Sequence, residues 1–411
     1  MSSRRECVLI VGAGQAGART ALALRQEGWQ GEIVLAGDEP HYPYERPPLS
    51  KDVLLGKAAP ERATILGEER CARDQITLLR EEPVSALDLQ HRRARLGSGA
   101  ELAWDHLVVA TGSRPRDLPI PGAQLPGVHT LRTAADAVAL RGHLRAGAAV
   151  VLIGGGFIGL EVAASAAQLG CRVTVLETAG QLLGRVVSQA IATEVEKLHR
   201  ARGVDIRTGV RIESIEGVDK VRRLRLADGT AIDADVVVVG IGALANDGLA
   251  ICAGLACADG IRVDPTARTQ APAVYAVGDV ARHEQLWGAR GVRLESWENA
   301  ELQAATAARA IVGRAAAPRG APWFWTDQFE TNLQILGFPH PGHRIVLRGS
   351  VDAPSWCAFM MQGPRLVGAC LWNAGRERRA VSQLMQADRE VEPAALADTG
   401  RPLNELAKAQ R

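Results

Sequence analysis

The chain has 411 residues, of which 23% are charged, and its formal net charge is only +2. That length suggests two or three domains with ample core, and the charge balance excludes a global case for nucleic-acid or membrane-surface binding. No apolar run is long and glycine-free enough to span a bilayer, and the seven scattered cysteines include no CxxC pair and no Cys/His cluster at metal spacing, which argues against a disulfide framework or a metal site and suits a reducing cytosol.

The opening MSSRRECVLIVG sets basic residues before an apolar run, as a secretory leader does. Glycines interrupt it at once, so the run reads as a first strand, buried on both faces of a parallel sheet. QAGARTALALRQEG follows with helical periodicity and stops at Gly28, and GEIVLAGDE is a second buried strand ending in acid. This is a βαβ unit. HYPYERPPLSKDVLLG is a proline-rich loop that cannot be regular strand. LVVATGSRPR is a short strand running into a turn. AVVLIGGGFIGLEVAASAAQLGCRVTVLE repeats the βαβ pattern, followed by a helix near SQAIATEVEKLHRARG and a hairpin around DGT. DADVVVVGIG and AVYAVGDVAR are further buried strands into glycine. From about Ala321 the pattern alternates between strands and Gly/Pro turns, predicting an antiparallel sheet and a short helical tail.

The two glycine loops carry the first functional signal. In Gly12, Gly14, Gly17 and again in Gly154, Gly156, Gly159, the first glycine permits a tight turn, the second lets backbone approach a pyrophosphate, and the third packs helix on strand. The phosphates then sit on the positive end of the helix. Each loop is followed by an acid at the next strand end, Asp38 and Glu177, placed to accept hydrogen bonds from ribose hydroxyls. A solvated strand end is the plainer account of either acid alone. Two such sites imply two dinucleotides, and a flavin and a nicotinamide are the pair whose chemistry connects directly.

GAGQAG, GDEPHYPYERPPLSKDVL, LVVATGSRPR, LRTAADA, IGGGFIGLEVAA, VVVGIG, YAVGDVAR, ESWENA and PWFWTDQ occur in that order. With these motifs the chain resembles, over essentially its whole length, the FAD-dependent NADH:ferredoxin reductases of bacterial oxygenase systems, the family of putidaredoxin reductase and the biphenyl dioxygenase ferredoxin reductase. RPPLSK and PWFW.DQ are more specific than the glycine loops. The resemblance implies an α/β, glutathione-reductase-like two-dinucleotide fold, with two Rossmann-type domains and a C-terminal α+β domain. Residues 1–113 and 243–320 would form a split FAD-binding domain, 114–242 the NAD-binding domain, and 321–411 the C-terminal antiparallel-sheet domain. It also implies hydride passage from NADH to FAD, then single electrons to an acidic [2Fe-2S] ferredoxin, Rieske-type included, serving an aromatic-ring dioxygenase or a cytochrome P450. Neither nucleic acid nor membrane is an implied partner.

Residue by residue, the resemblance assigns Gly12, Gly14, Ala16, Gly17, Asp38, Lys51, Val84, Arg132, Asp279 and Trp297 to FAD, and Gly154, Gly156, Gly159, Glu161, Glu177 and Arg185 to NAD. Asp279 would hydrogen-bond the ribityl chain, although aspartate is also a good helix N-cap. Trp297 would open a helix whose N-terminus offsets negative charge on the reduced flavin; ordinary core is the alternative. Lys51 near flavin N5 and Glu161 near the carboxamide would orient the nicotinamide as an opposite-charge pair, where a loop lysine is otherwise merely solvated. Glu177 at the ribose would repel a 2′-phosphate and favour NADH, while Arg185 would welcome one. Trp323 and Trp325 would lie where electrons leave, or else fill a domain junction. Arg376, Arg378 and Arg379, with Arg319 nearby, would steer an acidic ferredoxin, unless they are a solvated helix face. The positions where thiol-dependent relatives of this fold carry cysteine read GQAGARTALALRQ and HYPYERPPLSKD, so electrons would leave outward. A rubredoxin reductase and a redox-dependent interaction protein of the apoptosis-inducing-factor type are the rival readings.

Overall fold

The computed structural model describes residues 5–184, 186–316, 319–338 and 342–409. The chain divides into two compact units, each discontinuous in sequence: Met1–Pro47 with Ala59–Arg114 and Ala243–Arg319, and Pro48–Ala58 with Pro115–Gly242 and Gly320–Arg411.

In the first unit, a parallel sheet runs in the spatial order Val274–Ala276, His106–Val109, Cys7–Val11, Glu32–Ala36, Thr77–Leu79. The apolar run of the central strand has a simple cause. Val8 and Ile10 enter one core, with Ala18, Ala21 and Leu24 of the helix Gln15–Gln26 and Ala300, Ala307 and Ala308 of the helix Trp297–Ile311. Leu9 and Val11 enter another, with Ala94, Trp104, Ile261 and Val263. Period-two alternation between two cores leaves no position for a polar residue. The small alanines let the two helices approach closely.

The second unit repeats the plan. Its parallel sheet runs Asp205–Thr208, Arg172–Glu177, Ala149–Ile153, Val236–Val239, Val128–His129. Val150 and Leu152 face one core, and Val151 and Ile153 the other. The DGT stretch is a hairpin tip, with Val221–Leu226 antiparallel to Ala231–Asp233 and Gly229 at φ +86°. LRTAADA forms a capping box, Thr133 and Asp136 each hydrogen-bonding the other's backbone N–H at the start of the helix Ala134–His143.

Residues beyond Ala321 form an antiparallel sheet in the order Trp323–Gln328, Thr331–Gly337, Arg365–Trp372, Trp356–Gln362, Arg344–Arg348, followed by helices Arg378–Gln386, Pro393–Ala397 and Leu403–Ala409. This sheet is not a separate body. Leu333, Ile335, Met360 and Cys370 share one core with Leu152, Leu160, Val195 and Ile206. The segment Pro48–Ala58 also joins this unit, through Leu54 packed in the same core beside Leu140. The alternation of PWFWTDQ and its successors marks a sheet, but nothing local in it says which surface that sheet covers.

Candidate functional site

The two glycine loops are built alike, position by position. Gly12 and Gly154 have φ of +109° and +108°, and a Cβ there would lie 2.3 and 2.4 Å from the carbonyl oxygens of Ala110 and Gly240. Only glycine fits such a site. A Cβ on Gly17 or Gly159 would lie 1.9 or 2.3 Å from the carbonyl oxygen of Gly12 or Gly154, so these glycines seat the helix on its strand. The middle pair differs in kind. Gly14 meets nothing nearer than Arg46 Nη2 at 3.8 Å, and Gly156 nothing nearer than Gly240 O at 3.9 Å. Both are helix N-caps, and neither helix has an acidic residue in its first turn. The result is twice a cradle that is closed at its ends and open in the middle, with N–H groups and the helix dipole aimed at the opening.

Around the first loop, Asp38 stands exposed just past its strand. The neighbouring Glu39 accepts hydrogen bonds from Tyr44 Oη at 2.5 Å and Arg46 Nη2 at 2.9 Å. Arg46, which sequence reasoning passed over inside RPPLSK, is thereby held beside Gly14. Ala16 lies against Gly278: a Cβ on Gly278 would fall 2.7 Å from that of Ala16. This contact brings Asp279 to the loop. Asp279 sits within a 3-10 turn, accepts from Ser113 Oγ at 2.8 Å and caps no helix, which removes the N-cap alternative. Trp297 opens its helix as expected, with Ser296 as the cap accepting from Asn299 N. It is half-buried rather than core. Val84 begins the strand Val84–Asp88 and is partly buried in this unit.

Arg319 does not join a basic surface. Its guanidinium is spent on His283 Nε2 at 3.1 Å and Asn299 Oδ1 at 2.7 Å. His283 is buried, and desolvation together with the Arg319 charge pushes its pKa down to about 4, so the ring is neutral and Nε2 accepts.

Around the second loop, Glu177 closes the strand Arg172–Glu177 and takes backbone hydrogen bonds from Gly155 N at 2.7 Å and Ala179 N at 2.8 Å. The acid is thus locked to the loop it follows. Arg185 lies outside the described residues. Arg132 belongs to this second unit, ahead of the Thr133 capping box.

The most buried charge among the candidates is Glu161, 4% exposed. It lies on the helix Phe157–Gln168, one turn before Ser165 on the same face. The segment Pro48–Ala58 crosses that face. Ser165 Oγ donates to the carbonyl of Ser50 at 2.7 Å. Ser50 Oγ and Lys51 Nζ both reach Glu161 Oε2, at 2.5 and 2.8 Å, and Thr326 Oγ1 donates to Oε1 at 2.7 Å. The Lys51–Glu161 pair is therefore formed, and two hydroxyls complete it that the sequence reading did not single out. A cavity of ≈ 270 Å³ adjoins Lys51, Lys57, Ser165 and Asp327; no glycine-loop residue lines it, so it does not mark a nucleotide cradle.

Trp323 and Trp325 stack with centroids 5.1 Å apart, and Arg378 lies 4.4 Å over the Trp323 ring. One arginine of the basic cluster is thus engaged in a cation–π contact, while Arg376 and Arg379 remain exposed. Cys71, Cys171, Cys252, Cys257, Cys357 and Cys370 are thiols, and burial pushes Cys357 up to about 12. Among the described residues no group of three His, Cys, Asp or Glu side chains would hold a metal ion, and no helix is long and apolar enough to cross a membrane.

The open middle glycines, the unacidic helix starts and the acids at or just past the strand ends fit a dinucleotide at each loop. Comparison with known proteins points the same way. Residues 7–304 match the pyridine nucleotide-disulphide oxidoreductase family, and residues 323–407 the reductase C-terminal family. The chain is 39% identical to the putidaredoxin reductase of Pseudomonas putida over 411 residues, 98% of this chain and 97% of that protein. It is 41% identical over 391 residues to the ferredoxin–NAD(+) reductase component of the anthranilate 1,2-dioxygenase system of Burkholderia cepacia, 95% of this chain and 96% of that one. The reductase in the crystal structure of the covalent putidaredoxin reductase–putidaredoxin complex superposes with a TM-score of 0.95 at 39% identity, covering 98% of this chain and 99% of that one.

Proposed function

The chain belongs to the pyridine nucleotide-disulphide oxidoreductase family, among the ferredoxin reductases of oxygenase systems, and from that premise we propose that it carries reducing equivalents from NADH, through FAD, to an acidic [2Fe-2S] ferredoxin serving an oxygenase. FAD belongs to the cradle of Gly12, Gly14, Ala16 and Gly17, with Asp38 and Asp279 on its polar groups and the Trp297 helix N-terminus offsetting negative charge. NADH belongs to the cradle of Gly154, Gly156 and Gly159, with Glu177 at the ribose and Glu161 and Lys51 at the nicotinamide. When bound, the flavin supplies what no side chain here has, acceptance of two electrons together and their release one at a time. No thiol lies in either cradle or in the helix behind the first, so no disulfide stands between donor and external acceptor.

One observation carries this reading: the same closed–open–closed cradle recurs in both units, matched to a few tenths of an ångström. Reduced cysteines and the absence, among the described residues, of a membrane-crossing helix support a cytoplasmic setting. Anaerobic rapid mixing tests the function. The FAD-loaded protein should lose its yellow absorbance on mixing with NADH and regain it on addition of an oxidised [2Fe-2S] ferredoxin. A loaded protein that NADH does not bleach refutes the proposal.

A further inference from the structure

The carboxylate of Glu161 is the end of a longer chain of hydrogen bonds, all within the second unit. His199, on the helix Gln189–Ala201, is fully buried, with Phe329 packed edge-on against its ring at 5.1 Å. Its Nε2 lies 2.8 Å from Gln328 Oε1. An amide oxygen only accepts, so Nε2 carries the proton and donates. Gln328 Nε2 donates in turn to Thr326 Oγ1 at 3.2 Å. The Thr326 hydroxyl accepts that bond with one lone pair and donates its proton to Glu161 Oε1 at 2.7 Å, since a carboxylate oxygen only accepts. Every donor points the same way, toward the carboxylate. Thr326 and Gln328 are two apart on the strand Trp323–Gln328 and so share one face of the C-terminal sheet.

A carboxylate offers about four acceptor positions. Ser50 and Lys51 use both on Oε2, and Thr326 uses one on Oε1. One remains. The Thr326 hydroxyl narrows its direction, because the terminal torsion of a glutamate is broad and donors on Oε2 alone leave Oε1 more room to swing than donors on both oxygens.

We propose that Thr326, backed by Gln328 and His199, is a positioning residue for nicotinamide: it locks Glu161 so that the single open acceptor position of Oε1 meets the carboxamide N–H of NADH. The proposal rests on the reading above, in which Glu161 faces the nicotinamide. Thr326 itself touches no ligand in this account.

Calorimetric titration of the FAD-loaded protein with two ligands tests it. NAD+ carries the carboxamide; ADP-ribose shares its adenosine, pyrophosphate and ribose but lacks the nicotinamide. Thr326→Val keeps the shape and removes the donor. It should weaken NAD+ roughly tenfold, the size expected from one misdirected hydrogen bond to a charged group, and leave ADP-ribose unchanged. Thr326→Ser should restore wild-type binding. Gln328→Leu, which cuts the relay one link further out, should act in the same sense at smaller size and serves should Thr326→Val not fold. If the relay is only a means of satisfying buried polar groups, both ligands weaken together or neither does, and the proposal is overturned. Glu161→Gln separates the two layers. Should it leave the NAD+ to ADP-ribose ratio untouched, the nicotinamide assignment falls and takes the proposal with it. Should it change that ratio while Thr326→Val does not, only the role of Thr326 falls.

Discussion

Gly156→Ala and Gly159→Ala separate the two jobs that a glycine loop combines. At Gly156 the backbone has φ −83° and ψ −179°, an extended conformation open to alanine. The added methyl meets no protein atom nearer than 3.9 Å. Gly→Ala at a compatible site gains about 0.4–1 kcal/mol by restricting the unfolded chain, so this variant should melt no lower than wild type. At Gly159 the methyl would lie 2.3 Å from a backbone carbonyl oxygen, which cannot swing aside. Overpacking of that kind costs about 1–3 kcal/mol or more, and the helix bearing Glu161 must shift. Ligand binding reverses the order of damage. The Gly156 methyl fills the mouth of the cradle, and a steric cost of about 1–3 kcal/mol there corresponds to roughly a five- to 150-fold loss of NAD+ affinity. Thermal unfolding and NAD+ calorimetry on the FAD-loaded protein read both effects. Gly156→Ala should fold normally and bind NAD+ poorly, and Gly159→Ala should be the less stable of the two. If Gly156→Ala binds NAD+ as tightly as wild type, the pyrophosphate does not sit where the open glycine places it, and the cradle argument fails.

Three further outcomes follow from other features. Glu177, fixed by Gly155 N and Ala179 N, should make kcat/KM higher for NADH than for NADPH; equal or higher efficiency with NADPH would overturn that assignment. Reversing charge at the exposed Arg376 and Arg379 should raise KM for an acidic ferredoxin and flatten its salt dependence, while reduction of a small dye by NADH stays unchanged; an unaltered ferredoxin KM would return these arginines to plain solvated surface. His283 couples folding to acid. Its folded pKa of about 4 lies below the ordinary 6.5, so the unfolded state binds the extra proton and stability is lost as pH falls from about 6.5 toward 4, by up to about 3 kcal/mol. Urea midpoints across that window should fall in wild type and fall less in His283→Gln; parallel slopes in the two proteins would refute it.

How much of this was open to reading depends on the distance over which each feature is determined. The strands Cys7–Val11 and Ala149–Ile153 were readable because burial on both faces demands an unbroken apolar run. The glycine loops were readable because turn, approach and packing act within a few residues. The Trp297 helix was readable because its cap, Ser296, is adjacent. Composition alone could not place Arg319: a lone arginine after a proline looks like surface, and only the fold shows His283 and Asn299 waiting for it. Nor could it show that the C-terminal sheet shares a core with the second parallel sheet, since Ile335 and Leu152 are brought together by tertiary structure alone.

The site around Glu161 shows the same limit at its sharpest. Lys51 and Glu161 stand out as charges in specific motifs, yet Ser50, Thr326, Gln328 and His199 are commonplace residues, and Thr326 lies 165 positions from Glu161 in sequence. Their joint effect arises because the segment Pro48–Ala58, although flanked by residues of the first unit, folds onto the second. Ser165 pins its backbone, Leu54 buries it, and Ser50 and Lys51 close over Glu161. The ion pair is therefore internal to the second unit. It follows that the orientation of Glu161 is set by contacts made before any nucleotide arrives, so the entropy of arranging lysine, hydroxyls and carboxylate is spent in folding and not again in binding. A loop lysine that merely strayed toward a ligand would have to pay that cost with each encounter, and this difference gives a serine next to a lysine and a threonine between a tryptophan and an aspartate a functional reason to be there.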